Sequence, residues 1–458
     1  SDDEEELMPP PEIGKPLSQR EKEILEQWIK EGAIWADHWA YVDPVKHSQP
    51  QVIDSNWPTH WIDQFTFADI KKNQVKPAPD ADPITLVRRL HFDLTGLPPK
   101  SQEVTNFATN PSPRAYASLI DDLLASPHFG ERMSAYWLDL VRYADTVGYH
   151  GDQPHNISPY RDWVINAFNK NMPFDQFTRE QLAGDLLPGS TTQQKVASGY
   201  NRLLQTTHEG GLQIKEYDAI YAADRVRNVS EVWMGATVGC AQCHDHKYDP
   251  YTIKDNYALA AFFADIGDRG FNGNSLPTKR PPEIIIHNPE NLARIQQLHK
   301  QMNALLPPAK QKKFQEFQDR KNRLTSTLKK ANEKHKQDLQ NRLGNLDQEI
   351  SKLAGEQELA KYRKIRMEKV EIEKMGRPTM ISQAVKPRTM RVLPRGNWMD
   401  ESGPVVLPAV PEFLGQIQSN KDRLNRLDLA NWLTDPKNGK GKLNARVLAN
   451  RIWYLLFG

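Results

Sequence analysis

The sequence predicts a mainly α-helical protein with a projecting antiparallel coiled-coil hairpin and a small irregular, β-containing segment near the C-terminus. Apolar residues recur at helical spacing in stretches such as 114–125 and 131–145. Residues 291–375 form a predicted helical arm rich in Lys, Gln and Glu, with breaks expected at Pro307-Pro308 and Gly355 and a heptad seam at Leu339, Leu343, Leu346, Ile350 and Leu353. After residue 376 the chain is rich in Pro and Gly, with only short β-type runs.

Bulk composition excludes some classes of partner. The 458 residues are enough for about two to four domains of ordinary size. Lys and Arg number 60 and Asp and Glu number 58, so a net charge of +2 creates no overall field for nucleic acid or an anionic membrane. No apolar run approaches the roughly 20 residues of a membrane-spanning helix. We therefore expect neither a nucleic-acid partner nor a membrane span.

The first 80 residues divide into two predicted segments. In residues 1–36, Met8 lies in a proline-rich loop before a short helix, which a capping box from Ser18 to Glu21 opens and Gly32 ends. Residues 37–80 are a connector rich in Trp and Pro, which we expect to wrap over the next domain.

Residues 81–290 are predicted to form a multi-helix domain. One helix is expected to stop at Gly96, before two prolines, and residues 265–290 are expected to be loop. Within 131–145, Asp139, Arg142 and Asp145 recur at every third position. This spacing predicts a carboxylate–guanidinium ladder on one face of a single helix, where it either braces the fold or lines a pocket.

Both cysteines of the chain lie in one short motif, Cys240-Ala241-Gln242-Cys243-His244. This spacing is the attachment signature of c-type haem, in which each thiol bonds one vinyl group and the histidine supplies an axial nitrogen to iron. The motif therefore predicts haem c (iron) as cofactor, bound through Cys240, Cys243 and His244, with His244 as the metal ligand. The domain that contains it is accordingly predicted to bind haem.

Two other interpretations of the motif remain open. Cys-x-x-Cys is half of many zinc sites, and His246 would then be a further ligand, although no second cysteine pair exists. A redox dithiol or a pair of inert thiols is the other alternative. If haem is bound, His246 lies too close to His244 in the chain to reach the opposite face, so we interpret it as a neighbouring or surface group.

A loop about thirty residues before the motif contains His208 and Glu209, followed by two glycines. The helical run 219–235 connects the two, and a hairpin of that size would bring His208 back toward the haem. His208 is thus a candidate for the second iron ligand or for an acid–base group, and Glu209 and Asp145 are further candidates for proton transfer. A loop histidine bonded to backbone is equally compatible with this pattern.

Several long stretches of the sequence resemble the planctomycete-type cytochrome c multidomain proteins. The resemblance is carried by Phe92-Asp93-Leu94-Thr95-Gly96-Leu97-Pro98-Pro99, Trp137-Leu138-Asp139, Glu180-Gln181-Leu182-Ala183-Gly184-Asp185, the segment Gly239–Lys247, and Asn450-Arg451-Ile452-Trp453. It implies that residues 1–36 are the C-terminal remnant of a cytochrome c-like domain. Residues from about 60 to 265 would be the second, haem-motif domain of unknown function, and 376–458 the truncated start of the following domain.

The resemblance also implies an exported redox protein linked to polysaccharide breakdown, with other cytochrome domains, a redox partner or carbohydrate as partners. The first haem motif of the family is missing from this chain. We expect a periplasmic or extracytoplasmic location, because covalent haem attachment normally occurs outside the cytoplasm. The arm 291–375 is a candidate surface for oligomerisation.

The sequence therefore favours a c-type haem redox protein. It would transfer electrons if a side chain closes the sixth iron position, and it would be a haem-dependent oxidoreductase if that position is open. The rival hypothesis is a zinc-stapled scaffold or binding protein that holds the metal with Cys240, Cys243, His244 and His246 and recruits partners through the arm. The sequence contains no Gly-x-Ser-x-Gly motif, the nucleophile motif that would indicate a hydrolase.

Overall fold

A computed structural model describes residues 17–34, 38–51, 60–148, 152–207, 211–267, 280–330 and 333–458. Those residues form 17 α-helices and two antiparallel two-stranded sheets, which confirms the predicted mainly α class. Among them, no helix combines the length and the apolar character that crossing a membrane requires.

The N-terminal part of the described chain contains six helices whose ends follow sequence signals. Ser18 and Glu21 form the predicted capping box, in which the Ser18 amide donates to the Glu21 carboxylate at 2.7 Å. Gly96 adopts a left-handed conformation with φ of 70° and ends its helix as predicted. The helices are α1 (Gln19–Lys30), α2 (Trp61–Lys72), α3 (Pro83–Thr95), α4 (Ser101–Thr109), α5 (Pro113–Leu124) and α6 (Pro127–Leu140).

The next five helices surround an aromatic core. They are α7 (Ser158–Asn169), α8 (Phe174–Ala183), α9 (Thr192–Ala197), α10 (Ile214–Val229) and α11 (Ile253–Ala261). The Trp137 ring lies edge-to-face with Phe177 at 4.8 Å and with Trp233 at 5.6 Å between centroids. Gln181 is fully buried beside them, and its side-chain oxygen accepts hydrogen bonds from Trp137 and Tyr160 at 2.9 and 2.6 Å. Its burial is tolerated because the polar groups satisfy one another.

The predicted ladder of Asp139, Arg142 and Asp145 on one helix is wrong. Helix α6 ends at Leu140, and Arg142 takes a left-handed backbone conformation with φ of 60°. Its guanidinium instead forms an ion pair with Asp224 of α10. Asp145 therefore lies in the loop after the helix.

The arm consists of α12 (Pro289–Ala304), α13 (Pro308–Lys330), α14 (Glu333–Ala354) and α15 (Glu356–Lys374). Helix α12 packs on α15 and α13 packs on α14, with breaks at the predicted Pro307-Pro308 and Gly355. From the heptad seam, Leu346 and Ile350 pack in one buried cluster with Phe314.

Two short sheets connect distant parts of the chain. Strand β1 (Glu283–Ile286) pairs antiparallel with β2 (Arg377–Met380), and β3 (Met390–Arg391) pairs with β4 (Val405–Val406). The expectation of loop throughout 265–290 is therefore wrong at β1. Because β1 and β2 flank the arm in the sequence, their pairing brings its two ends together.

The C-terminal helices α16 (Arg426–Thr434) and α17 (Gly441–Phe457) complete the described chain. Leu429, Trp432 and Leu433 of α16 are buried in the same cluster as Trp137 and Trp233. Segment 376–458 thus shares a core with the region that contains the cysteine motif.

Candidate functional site

The cysteine motif begins on a 3-10 turn, Val238–Gln242, and continues beyond it at Cys243 and His244. Val238 and Ala241 in the turn are fully buried. Cys240 in the turn and Cys243 directly after it are both free and exposed. This segment therefore directs apolar side chains inward and presents both thiols to solvent.

Three neighbouring elements hold this turn in place. A Cβ atom added at Gly239 would lie 3.2 Å from Cγ of Arg227 on α10. From α11, the Tyr257 hydroxyl donates to the Gln242 carbonyl at 3.0 Å. On the C-terminal side, Gly396 packs so closely that an added Cβ would lie 2.9 Å from the Cys243 sulfur.

The orientation of His244 leaves one ring nitrogen available. Its Nδ1 lies 2.7 Å from the backbone oxygen of Asp245. A carbonyl oxygen only accepts hydrogen bonds, so Nδ1 must carry the hydrogen, and in the neutral ring the lone pair is on Nε2. Since His244 is exposed, Nε2 is free to bind a ligand. Metal-binding histidines are commonly oriented by this kind of bond.

His246, in contrast, is engaged at both ring nitrogens. Its Nδ1 accepts from the amides of Asp249 and Tyr248 at 2.8 and 3.2 Å, and its Nε2 lies 3.0 Å from Thr237 Oγ1. Only 8% of its side chain is exposed. These contacts close the loop that follows the motif, in agreement with the interpretation of His246 as a neighbouring group.

The other predicted site residues lie elsewhere or outside the described part of the chain. Asp145 is exposed, and its carboxylate accepts a hydrogen bond from the Tyr143 hydroxyl at 2.6 Å. Burial, with a further contribution from Asp145, raises the pKa of Tyr143. The Asp145 carbonyl accepts from the His155 amide at 2.7 Å, and none of the hydrogen bonds that Asp145 makes within the described ranges reaches the cysteine motif. His208 and Glu209 lie outside the described residues.

In the described ranges, no group of three or more His, Cys, Asp or Glu side chains is arranged to hold a metal ion. The protein groups available at the motif are thus two thiols and one imidazole. Covalent haem attachment uses these same groups, with the thiols for thioether bonds to the porphyrin and the imidazole as a ligand of its iron. The residues present therefore fit a c-type haem.

Sequence reasoning missed a cleft of about 510 Å³ beside the motif. It lies between α10, α11 and residues 388–401, and its lining includes Ala219, Gln242, Asn256, Tyr257, Arg391 and Trp398. The motif borders it through Gln242, which lies between the two cysteines. These residues come from three distant parts of the chain, so no local pattern indicates the cleft.

Comparison with known proteins finds one family model that resembles part of the chain. Residues 61–268, which contain the cysteine motif, match the model of a domain found in planctomycete cytochrome c-containing proteins. The matching family model is PSCyt2, described as a protein of unknown function (DUF1549). No curated protein and no solved structure matches the chain. The match includes α2 through α11 and leaves the arm and the C-terminal helices outside it.

Proposed function

We propose that the protein is an exported c-type haem redox protein, with haem bound through Cys240, Cys243 and His244. The observation that carries the proposal is the state of His244, whose Nδ1 donates to a backbone carbonyl while Nε2 remains accessible beside two free, exposed thiols. The match of residues 61–268 to a domain from cytochrome c-containing proteins also supports it.

The chain's own residues prepare the site in three ways. The Asp245 carbonyl fixes the ring tautomer and orientation of His244. Buried Val238 and Ala241 keep the turn that carries the thiols attached to the core. Tyr257 bonds both the Gln242 carbonyl at 3.0 Å and the Leu393 carbonyl at 3.4 Å, which links the turn to the C-terminal segment.

Haem, when bound, supplies one-electron chemistry, and the protein determines access, orientation and potential. Whether the haem-loaded protein is an electron carrier or an oxidoreductase depends on the group at the sixth iron position. The zinc alternative has less support, because a four-residue site would require His246 to give up hydrogen bonds that its ring now makes. Both ring nitrogens are engaged, Nε2 with Thr237 and Nδ1 with the amides of Tyr248 and Asp249.

The experiment is expression of residues 1–458 together with the cytochrome c maturation machinery. We expect a haem-staining band that survives a denaturing gel, and a reduced spectrum typical of two thioether bonds. Carbon monoxide added to the reduced protein then reports whether the sixth position is open. Cys240→Ala and Cys243→Ala should each abolish or weaken covalent attachment, and His244→Ala should change the spectrum of any haem retained.

The matched control is His128→Ala, which removes an exposed histidine on α6 that bonds Glu131 at 2.7 Å and lies outside the motif. This variant should retain haem and the wild-type spectrum. Purified protein that contains zinc and no haem under these conditions would refute the proposal in favour of the zinc scaffold.

A further inference from the structure

We propose that the cleft between α10, α11 and residues 388–401 binds a small organic carboxylate that also carries a hydroxyl group. This site does not depend on haem attachment. Its volume of about 510 Å³ is within the usual range for small-molecule sites, roughly 300–1,000 Å³.

The first observation is an unpaired amide oxygen in a residue of the cleft wall. Asn256 on α11 is only 1% exposed, and its side-chain Oδ1 has no hydrogen-bond partner among the described residues. Burying a polar atom without a partner costs its desolvation energy, so a ligand group that bonds it is favoured. A hydroxyl suits an amide because it can donate to the oxygen or accept from the nitrogen.

The second observation is a cation that has no carboxylate within 4 Å among the described residues, with Glu401 of the cleft interacting with it electrostatically from farther away. Two bases of the cleft are paired, since Lys215 bonds Glu401 at 2.5 Å and Arg388 lies 3.8 Å from Asp218. Arg391 differs from both of them. Among the described residues, its guanidinium makes one hydrogen bond, to the Gly403 carbonyl at 3.3 Å. Most of its five donors therefore remain available, in the geometry that matches a carboxylate.

The third observation is the apolar part of the same lining. Helix α10 presents Ala219, Ala222 and Ala223 to the cleft, and α11 presents Ala260. These small side chains leave the space open, and the half-buried Trp398 forms an aromatic wall. A flat organic body fits such a surface, with its carboxylate at Arg391 and its hydroxyl at Asn256.

The test is a titration of residues 1–458 with 4-hydroxybenzoate, benzoate and phenol, followed by calorimetry. We expect 4-hydroxybenzoate to bind most tightly. Benzoate, which lacks the hydroxyl, should bind about twofold to tenfold more weakly than 4-hydroxybenzoate. Phenol, which lacks the carboxylate, should bind more weakly by about tenfold or more. Arg391→Gln should weaken the binding of 4-hydroxybenzoate by about tenfold or more and leave the affinity for phenol unchanged. Asn256→Ala should remove the preference for 4-hydroxybenzoate over benzoate.

Arg391→Lys keeps the charge and should give an intermediate affinity, and circular dichroism verifies that each variant is folded. Arg114→Gln, on α5 outside the cleft, is the control and should bind like the wild type. Absence of binding, or equal binding of 4-hydroxybenzoate by wild type and Arg391→Gln, would overturn the proposal. So would binding to the haem-free chain that disappears once haem is attached, because the cleft would then belong to the haem.

Discussion

The guanidinium of Arg426 on α16 forms two parallel hydrogen bonds with the carboxylate of Asp185, each 2.8 Å long. A third bond of 3.0 Å joins Arg426 to Asp265, just after α11. The Arg426 side chain is fully buried, and 7% of the Asp185 side chain is exposed. This network connects α16 to Asp185 and Asp265, which belong to the same part of the molecule as the cysteine motif.

We expect Arg426→Ala to destabilise the protein by about 3–5 kcal/mol, because it leaves two buried carboxylates without their cation. Burial alone would lower the pKa of Arg426, but Asp185 and Asp265 raise it above its usual value, so the arginine is charged in the fold. Denaturant unfolding measures the effect. The control is Arg377→Ala, which breaks an exposed ion pair with Asp162 and should cost about 0–1 kcal/mol. Equal losses in the two variants would contradict this role of Arg426.

Stability should fall in mild acid because of His155. Burial lowers the pKa of this imidazole from 6.5 to about 4, with further contributions from the nearby cations Arg280 and Arg202. Its Nε2 is buried and has no hydrogen-bond partner in the part of the chain that the structure describes. The unfolded chain therefore binds a proton that the folded chain excludes, so stability is fully present above pH 6.5 and is lost as the pH falls toward 4.

The expected loss between these two pH values is about 3 kcal/mol from His155 alone. His155→Gln should show a flatter dependence of unfolding free energy on pH over this interval. The measurement is urea unfolding at a series of pH values for both proteins. Parallel curves would show that His155 is not the group responsible.

Gly396→Ala should alter the reactivity of Cys243. The glycine has φ of 72°, and a Cβ atom there would lie 2.9 Å from the Cys243 sulfur. The sulfur must then turn away from the loop toward solvent, so alkylation of Cys243 should be faster than in the wild type while Cys240 is unchanged. Site-resolved mass spectrometry after brief alkylation measures both rates.

Gly189→Ala is the matched control for Gly396→Ala. Its φ of 65° imposes a similar backbone strain, of about 1 kcal/mol or more, but no described residue lies within 4 Å of the added Cβ. It should therefore destabilise the protein without changing either alkylation rate. If both variants accelerate the alkylation of Cys243 equally, the effect comes from a general loss of stability and not from the contact with the sulfur.

Local signals in the sequence predicted several features correctly. The capping box at Ser18 and the glycine stop at Gly96 depend on residues within one helical turn, so the sequence contains all the information they need. Strand β1 was missed because its partner β2 follows only after the four helices of the arm. The end of α6 was missed for a similar reason, since Arg142 pairs with Asp224, a residue of α10.

The sequence by itself determined the helical class, the ends of α1 and α3 and the grouping of Cys240, Cys243 and His244, because each depends on neighbours in the chain. Only the tertiary structure decided which imidazole is available, since the bonds of His244 and His246 depend on how the loop folds. It also decided that α16 enters the core through Arg426 and that α10, α11 and residues 388–401 enclose a cleft. These features arise from contacts between segments far apart in sequence, and packing and charge pairing at that range leave no local periodicity.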